Sequence, residues 1–248
     1  MIYPHRIRLR GPWDCVPIAR LTELPDGRVV TESTNVPAPL RMSIPCRWRD
    51  GGLPNFAGRV CLKRRFGYPG RIDETERVWL TLDGVVGSCS LFLNARALAT
   101  CVSPADHMEF EVTGLLHKRN ELVVTLEDLQ GLGGLTGEVA IEIRRTAFLR
   151  GVKVERIGLD SFQVTGEVVG ACEGPLEIYV IYGRRNVGYA TVEASDKAMP
   201  FQVSASDLPT EQDEENGNLV RVELIQGATV WYEVEIRIDK DETGGRET

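Results

Sequence analysis

The chain has 248 residues, 42% hydrophobic and 26% charged, an ordinary globular balance that excludes wholesale disorder and leaves room for one large domain or two of usual size. Its formal net charge of −7 repels a phosphate backbone, so nucleic acid is not an expected partner. No apolar run approaches the ~18 residues of a membrane span, and Met1-Ile2-Tyr3-Pro4-His5-Arg6 lacks a secretory apolar core, so the expected location is the cytoplasm, away from membranes.

Helical periodicity is scarce, and short β-branched runs punctuated by Gly, Pro, Asn and Asp dominate, which predicts an all-β protein. In chain order, strands are expected at 7–9, 59–66, 77–83, 89–93, 108–112, 121–127 and 138–144. Alternation is clean in several: Val78, Leu80 and Leu82 point one way and Arg77, Trp79 and Thr81 the other, as a half-buried strand requires. Between Gly11 and Asn55 the chain is richer in proline and reads as an irregular wrap. The basic run Lys63-Arg64-Arg65 splits between two strand faces and reads as a solvated edge.

After a polar joint at 147–151, seven further strands are expected at 152–159, 161–169, 176–182, 186–192, 201–204, 219–225 and 230–238. That number and density match an immunoglobulin-like sandwich. The acidic stretch 211–217 reads as a solvated loop and the polar tail 241–248 as disordered. The expected domains are 1–146, 147–240 and that tail.

Six cysteines at 15, 46, 61, 89, 101 and 172 form no CxxC pair, so a zinc ribbon or thioredoxin motif is excluded. Cys61 and Cys89 lie in strand-like runs and read as reduced, apolar thiols. The three histidines at 5, 107 and 117 have no metal-binding spacing, and no metal or cofactor is expected. Asp73, Glu74 and Glu76 share one loop without EF-hand spacing. The glycine-rich 131–137 lacks the Lys-Ser/Thr of a phosphate loop and precedes a strand.

Six segments in order carry a family resemblance: Leu9-Arg10-Gly11-Pro12-Trp13, Ile44-Pro45-Cys46-Arg47-Trp48, Arg64-Arg65-Phe66 with Pro69, Arg77–Val85, Leu91-Phe92-Leu93-Asn94, and Phe110-Glu111-Val112-Thr113 with Leu116 and Asn120-Glu121-Leu122. Together they resemble the N-terminal sugar-binding domain of glycoside hydrolase family 2, which includes β-galactosidases, β-glucuronidases and β-mannosidases. The resemblance implies a jelly-roll, galactose-binding-domain-like β-sandwich followed by an immunoglobulin-like β-sandwich. Two departures stand out. Ala95 replaces the glycine after the turn asparagine, and 101–107 replaces a glycine-rich loop that shapes the active-site rim in the family. The family's catalytic glutamates lie on a third, barrel domain of ~250 residues; no catalytic residue carries over, and the expected protein is not an enzyme.

Sugar-binding sandwiches stack aromatic rings on sugars, so outward aromatics beside polar groups are the candidates. Trp79 and Phe92 point outward by alternation and, if their strands are neighbours, form one patch. Such a patch calls for a cover: a sugar, another part of the chain or a partner. Trp48 with Arg47, Arg49 and Asp50 combines an aromatic, guanidinium groups and a carboxylate, although in the relatives the matching Trp is a partly buried anchor. Asp106 and His107 lie in the altered loop. Asn94 reads as a left-handed turn residue. The expected partners are therefore a glycan or a hydrolase subunit; the rival reading is a protein-assembly module that has lost sugar binding.

Overall fold

The computed structural model describes residues 3–102, 104–158, 161–193, 195, 197–205 and 219–238; the acidic stretch 211–217 and the tail 241–248 lie outside them. The chain divides into two compact units, 6–143 and 144–248, with residues 1–5 joined to the second. The backbone N–H of Glu233 donates to Tyr3 O at 2.8 Å, which ties this N-terminal piece to the second unit rather than to the expected 1–146 block.

The first unit is a sandwich of two sheets. Sheet A is formed by β1 (His5–Arg8), β13 (Val139–Arg145), β7 (Glu76–Val86), β12 (Gly134–Leu135) and β5 (Cys46–Arg47), with β10 (Ala105–Glu111) also paired to β7. Sheet B runs β3 (Val29–Glu32), β2 (Trp13–Glu23), β6 (Gly58–Gly67), β11 (Arg119–Asp128), β8 (Ser88–Leu93) and β9 (Arg96–Cys101), with β4 (Leu40–Met42) on β2. Val78, Leu80 and Leu82 of sheet A, and Leu91, Leu93, Leu122, Val124 and Leu126 of sheet B, are buried. These are the positions that alternation assigns to the inner faces.

The proline-rich stretch departs from the expected irregular wrap. It contains β2, eleven residues in a buried-then-exposed alternation and paired to β6. Its inward positions are Trp13, Cys15, Pro17, Ala19 and Leu21, residue types that carry little β-branched signal. Pro17 is accommodated where the β2–β6 register shifts between Pro17 and Ala19, the irregularity at which a strand tolerates proline.

A second departure is topological. Strands β7 and β8 are consecutive in sequence but belong to different sheets. The crossing is made at Gly87, whose φ of +101° places it where side chains rarely go, and a Cβ there would press on the Glu127 carbonyl of β11. Trp79 and Phe92 therefore face outward from opposite sheets, and the joint aromatic patch expected of them does not form.

A third correction concerns the thiols. Hairpin β8–β9 sets Cys89 directly opposite Cys101, and the two are joined by a disulfide, so Cys89 is not the free thiol expected. Cys15, Cys46, Cys61 and Cys172 are free. Burial, with smaller contributions from nearby Cys61 and Cys46, pushes the Cys15 thiol up to about 12, which makes it an inert core side chain.

The second unit is an immunoglobulin-like sandwich with seven strands among the described residues. Sheet C orders β14 (Phe148–Gly158), β15 (Ser161–Val169) and β18 (Met199–Ala205); sheet D orders β17 (Arg185–Glu193), β16 (Pro175–Tyr182), β19 (Leu219–Gln226) and β20 (Thr229–Arg237). Between them lie Phe162, Val164, Ile178, Val180, Val222 and Leu224, all solvent-inaccessible. Among the described residues no helix is long and apolar enough to cross a membrane.

Candidate functional site

The six residues singled out in the sequence fall into three separate places. Arg47 ends β5, and its carbonyl accepts the backbone N–H of Asp50 and of Gly51, both at 3.0 Å. That tight turn sends Trp48 inward. The ring is 1% exposed, meets Phe56 edge-on with centroids 6.3 Å apart, and lies over Gly133, where any Cβ would enter the indole. Arg49 and Asp50 remain outside and pair with each other at 3.4 Å. The aromatic member of the expected sugar platform is thus a core anchor with no free face, which corrects its reading as a stacking ring.

Phe92 is half-buried on the outer face of sheet B, opposite Val123 on one side and Ala97 on the other. Next along the β11–β6 ladder comes Lys63, opposite Val123. Its direct cross-strand neighbours are aliphatic or small, with Lys63 one strand further on.

Asp106 and His107 lie on a strand rather than in a loop, because β10 begins at Ala105. Adjacent strand residues face opposite ways, so the two do not work together. His107 sits opposite Asp83, and its Nδ1 is 2.7 Å from Asp83 Oδ1. Its Nε2 faces the Glu109 carboxylate at 3.7 Å. Among the described residues both ring nitrogens face carboxylates, an arrangement that holds the imidazole between acids and does not aim it at a nucleophile.

The same outer face of sheet A carries an ion-pair network centred on Arg6. Its Nη2 is 3.1 Å from Asp83 Oδ2, its Nη1 3.1 Å from Glu142 Oε1 and its Nε 3.5 Å from Glu138 Oε2. Arg8 Nε holds Glu138 at 2.9 Å. The carboxylates that gather here are shared among guanidinium groups and an imidazole. Glycoside hydrolysis needs a pair with opposed environments, one of them kept protonated across a bound sugar; this cluster instead laces β1, β7, β10 and β13 together. Trp79 lies on this face too, opposite Glu111.

Asn94 is structural. With Ala95 it forms the β8–β9 turn at φ of 51° and 64°. Its Nδ2 donates to Leu115 O and to Asn120 Oδ1, both at 2.8 Å, while its Oδ1 accepts the Glu121 N–H at 2.9 Å.

One aromatic pair escaped the sequence reading. Tyr179 and Tyr189 are directly opposed on sheet D, with ring centroids 5.1 Å apart and planes at 67°, and Tyr189 is 50% exposed. The signal was available: Tyr179 alternates with Ile178 and Val180 as Trp79 does with Val78 and Leu80.

No family model matches the sequence, and no curated protein does. Solved structures share the fold. A Bifidobacterium dentium β-glucuronidase, complexed with coumarin-3-O-glucuronide, matches at 17% identity with a TM-score of 0.67 over 95% of this chain and 49% of its own. A putative β-galactosidase from Bacteroides fragilis matches at 14% identity and TM-score 0.66, over 94% of this chain and 40% of its own. A glycosyl hydrolase family 2 member from Bacteroides cellulosilyticus matches at 14% and 0.65, over 94% and 35%. The chain thus spans less than half the length of each of these proteins.

Proposed function

We propose that this chain is a non-catalytic, carbohydrate-binding-like module related to family 2 glycosidases, serving as an accessory region or subunit beside a hydrolase. The observation that carries this reading is the paired fold: a jelly-roll-like sandwich followed by an immunoglobulin-like one, aligned over nearly the whole chain with 35–49% of the length of such glycosidases. The Arg6-centred network supports it, because the carboxylates brought together there are engaged in ion pairs within the sheet. The rival assembly reading draws on a joint Trp79–Phe92 patch and on the sandwich edge strands; the two aromatics belong to different sheets, which leaves that reading the edge strands alone.

Isothermal titration of the full chain with β-linked galactosides, glucuronides, mannosides and glucosamine oligomers tests the proposal. Saturable heat with at least one of these classes is expected. Silence from all of them at millimolar sugar removes carbohydrate binding and leaves a shared fold alone.

A further inference from the structure

Sheet D has one buried face and one partly exposed face, on which Tyr189 is 50% exposed and the Glu223 side chain 12%. Ile178, Val180, Val222 and Leu224 fill the core, so the residues between them point outward. Strand pairing arranges these outward residues in rows. One row runs across all four strands as Tyr189, Tyr179, Glu223 and Glu233, each directly opposite the next. The row beside it contains Ile181, Arg221 and Glu235. On the other side Glu177 accepts a 2.8 Å hydrogen bond from the Tyr189 hydroxyl and fixes that ring.

The charge on this face does not balance. Directly opposed like charges destabilise a sheet, yet Glu223 and Glu233 meet head-on with Glu235 alongside. Arg221 lies among them with its Nε on Glu223 at 2.9 Å, and Arg237, two residues beyond Glu235 on β20, shares the face, so acid still outnumbers base there. Partial burial pushes the Glu233 carboxyl above its ordinary range; Arg221 opposes the shift and Glu223 and Glu235 add to it. A cation laid over Glu233 would counter the repulsion and offset the cost of the carboxylate's partial burial.

We propose that the outer face of sheet D binds a glycan bearing amino groups, with Tyr189 and Tyr179 as the stacking surface and Glu223, Glu233 and Glu235 as acceptors for its ammonium groups. This deepens the carbohydrate-binding reading above and rests on it. Sugar rings have an apolar face that packs on aromatic rings, and tyrosine presents such a surface at low entropic cost. Ammonium groups gain from carboxylates and from neighbouring π-faces. Strand spacing of ~4.8 Å puts the aromatic and acidic halves of the row within one disaccharide of each other. A neutral sugar would leave the opposed glutamates unrelieved, and a uronic acid would add to their repulsion.

The test is titration of the full chain with the β-1,4-linked glucosamine tetramer, its N-acetylated counterpart and tetralysine. The glucosamine tetramer should bind saturably with a Kd of about 1 mM or tighter, and Tyr189→Ala or the double change Glu223→Gln with Glu233→Gln should weaken it by roughly tenfold or more. Tyr189→Phe, which keeps the ring, should retain binding. The N-acetylated tetramer and tetralysine should each bind roughly tenfold more weakly or worse. Absence of glucosamine binding, indifference to Tyr189→Ala, or equal binding of tetralysine or the N-acetylated tetramer overturns the assignment; equal tetralysine binding marks a protein-docking or unselective acidic face. If another sugar class binds and Tyr189→Ala leaves it unchanged, this site fails while the accessory-module reading stands. If no sugar of any class binds, both fail.

Discussion

Replacing Trp48 by alanine separates its two readings, core anchor and sugar platform. A buried tryptophan removes 150–250 Å² from water, about 4–6 kcal/mol at roughly 25 cal/mol per Å². Against this, its Nε1 is buried without a hydrogen-bonding partner, which lowers the ring's net contribution by about 1–3 kcal/mol. The expected destabilisation is therefore about 1–5 kcal/mol, centred on about 3, where the usual range for truncating a core aromatic begins. Urea denaturation followed by far-ultraviolet circular dichroism reads it. With m-values of about 1–3 kcal/mol/M, the midpoint of the transition that contains the first unit should fall by at least about 1 M. The transition of the second unit should hold its place if the two units unfold separately. Gly133→Ala, which drives a methyl into the same indole, should cost about 1–3 kcal/mol by overpacking. A Trp48→Ala protein with unchanged stability and lost glycan binding would refute the anchor assignment and restore the platform.

Two further outcomes follow from local chemistry. Ala95 holds a left-handed φ of 64°, so Ala95→Gly should raise stability by about 1 kcal/mol, read as a higher Tm; an unchanged or lower Tm would show that the turn does not hold that conformation. The Glu233 carboxyl is raised in the folded state, so its contribution is greatest while it is protonated and is lost as pH rises through the folded value. Glu233→Gln should therefore raise the Tm at pH 7–8, with the gain shrinking as the solution approaches the ordinary glutamate range near about pH 4. A gain that grew toward acid would contradict the sign.

Much of the second unit is legible in the sequence because its core uses aliphatic, largely β-branched residues in strict alternation, as in Leu176, Ile178 and Val180 or Val220, Val222 and Leu224. Strand β2 was hidden because Cys15, Pro17 and Ala19 occupy its inward positions, and proline argues against a strand until a register shift accommodates it. The region around His107 reads as a loop in sequence because Ala105, Asp106 and His107 have weak strand propensity; pairing with the long β7 overrides it. Alternation correctly turned Trp79 and Phe92 outward. It cannot say which sheet a strand joins, and the crossing at Gly87 sends the two rings apart. Trp48 shows the same limit: the charged neighbours Arg47, Arg49 and Asp50 suggest a surface, while the tight turn at Arg47 and the bare backbone of Gly133 draw the indole inside. The Cys89–Cys101 bond depends on hairpin register, which the left-handed pair Asn94–Ala95 sets.

The central proposal is that the two sandwiches engage a ligand through their surfaces and perform no bond cleavage themselves. The most direct measurement is nitrophenol release from aryl β-glucuronide, β-galactoside and β-mannoside by the purified chain, with glycan binding followed on the same sample. The account predicts release no faster than in buffer alongside saturable binding. Turnover that one carboxylate substitution, such as Glu138→Gln or Glu142→Gln, abolishes without unfolding the chain would contradict it.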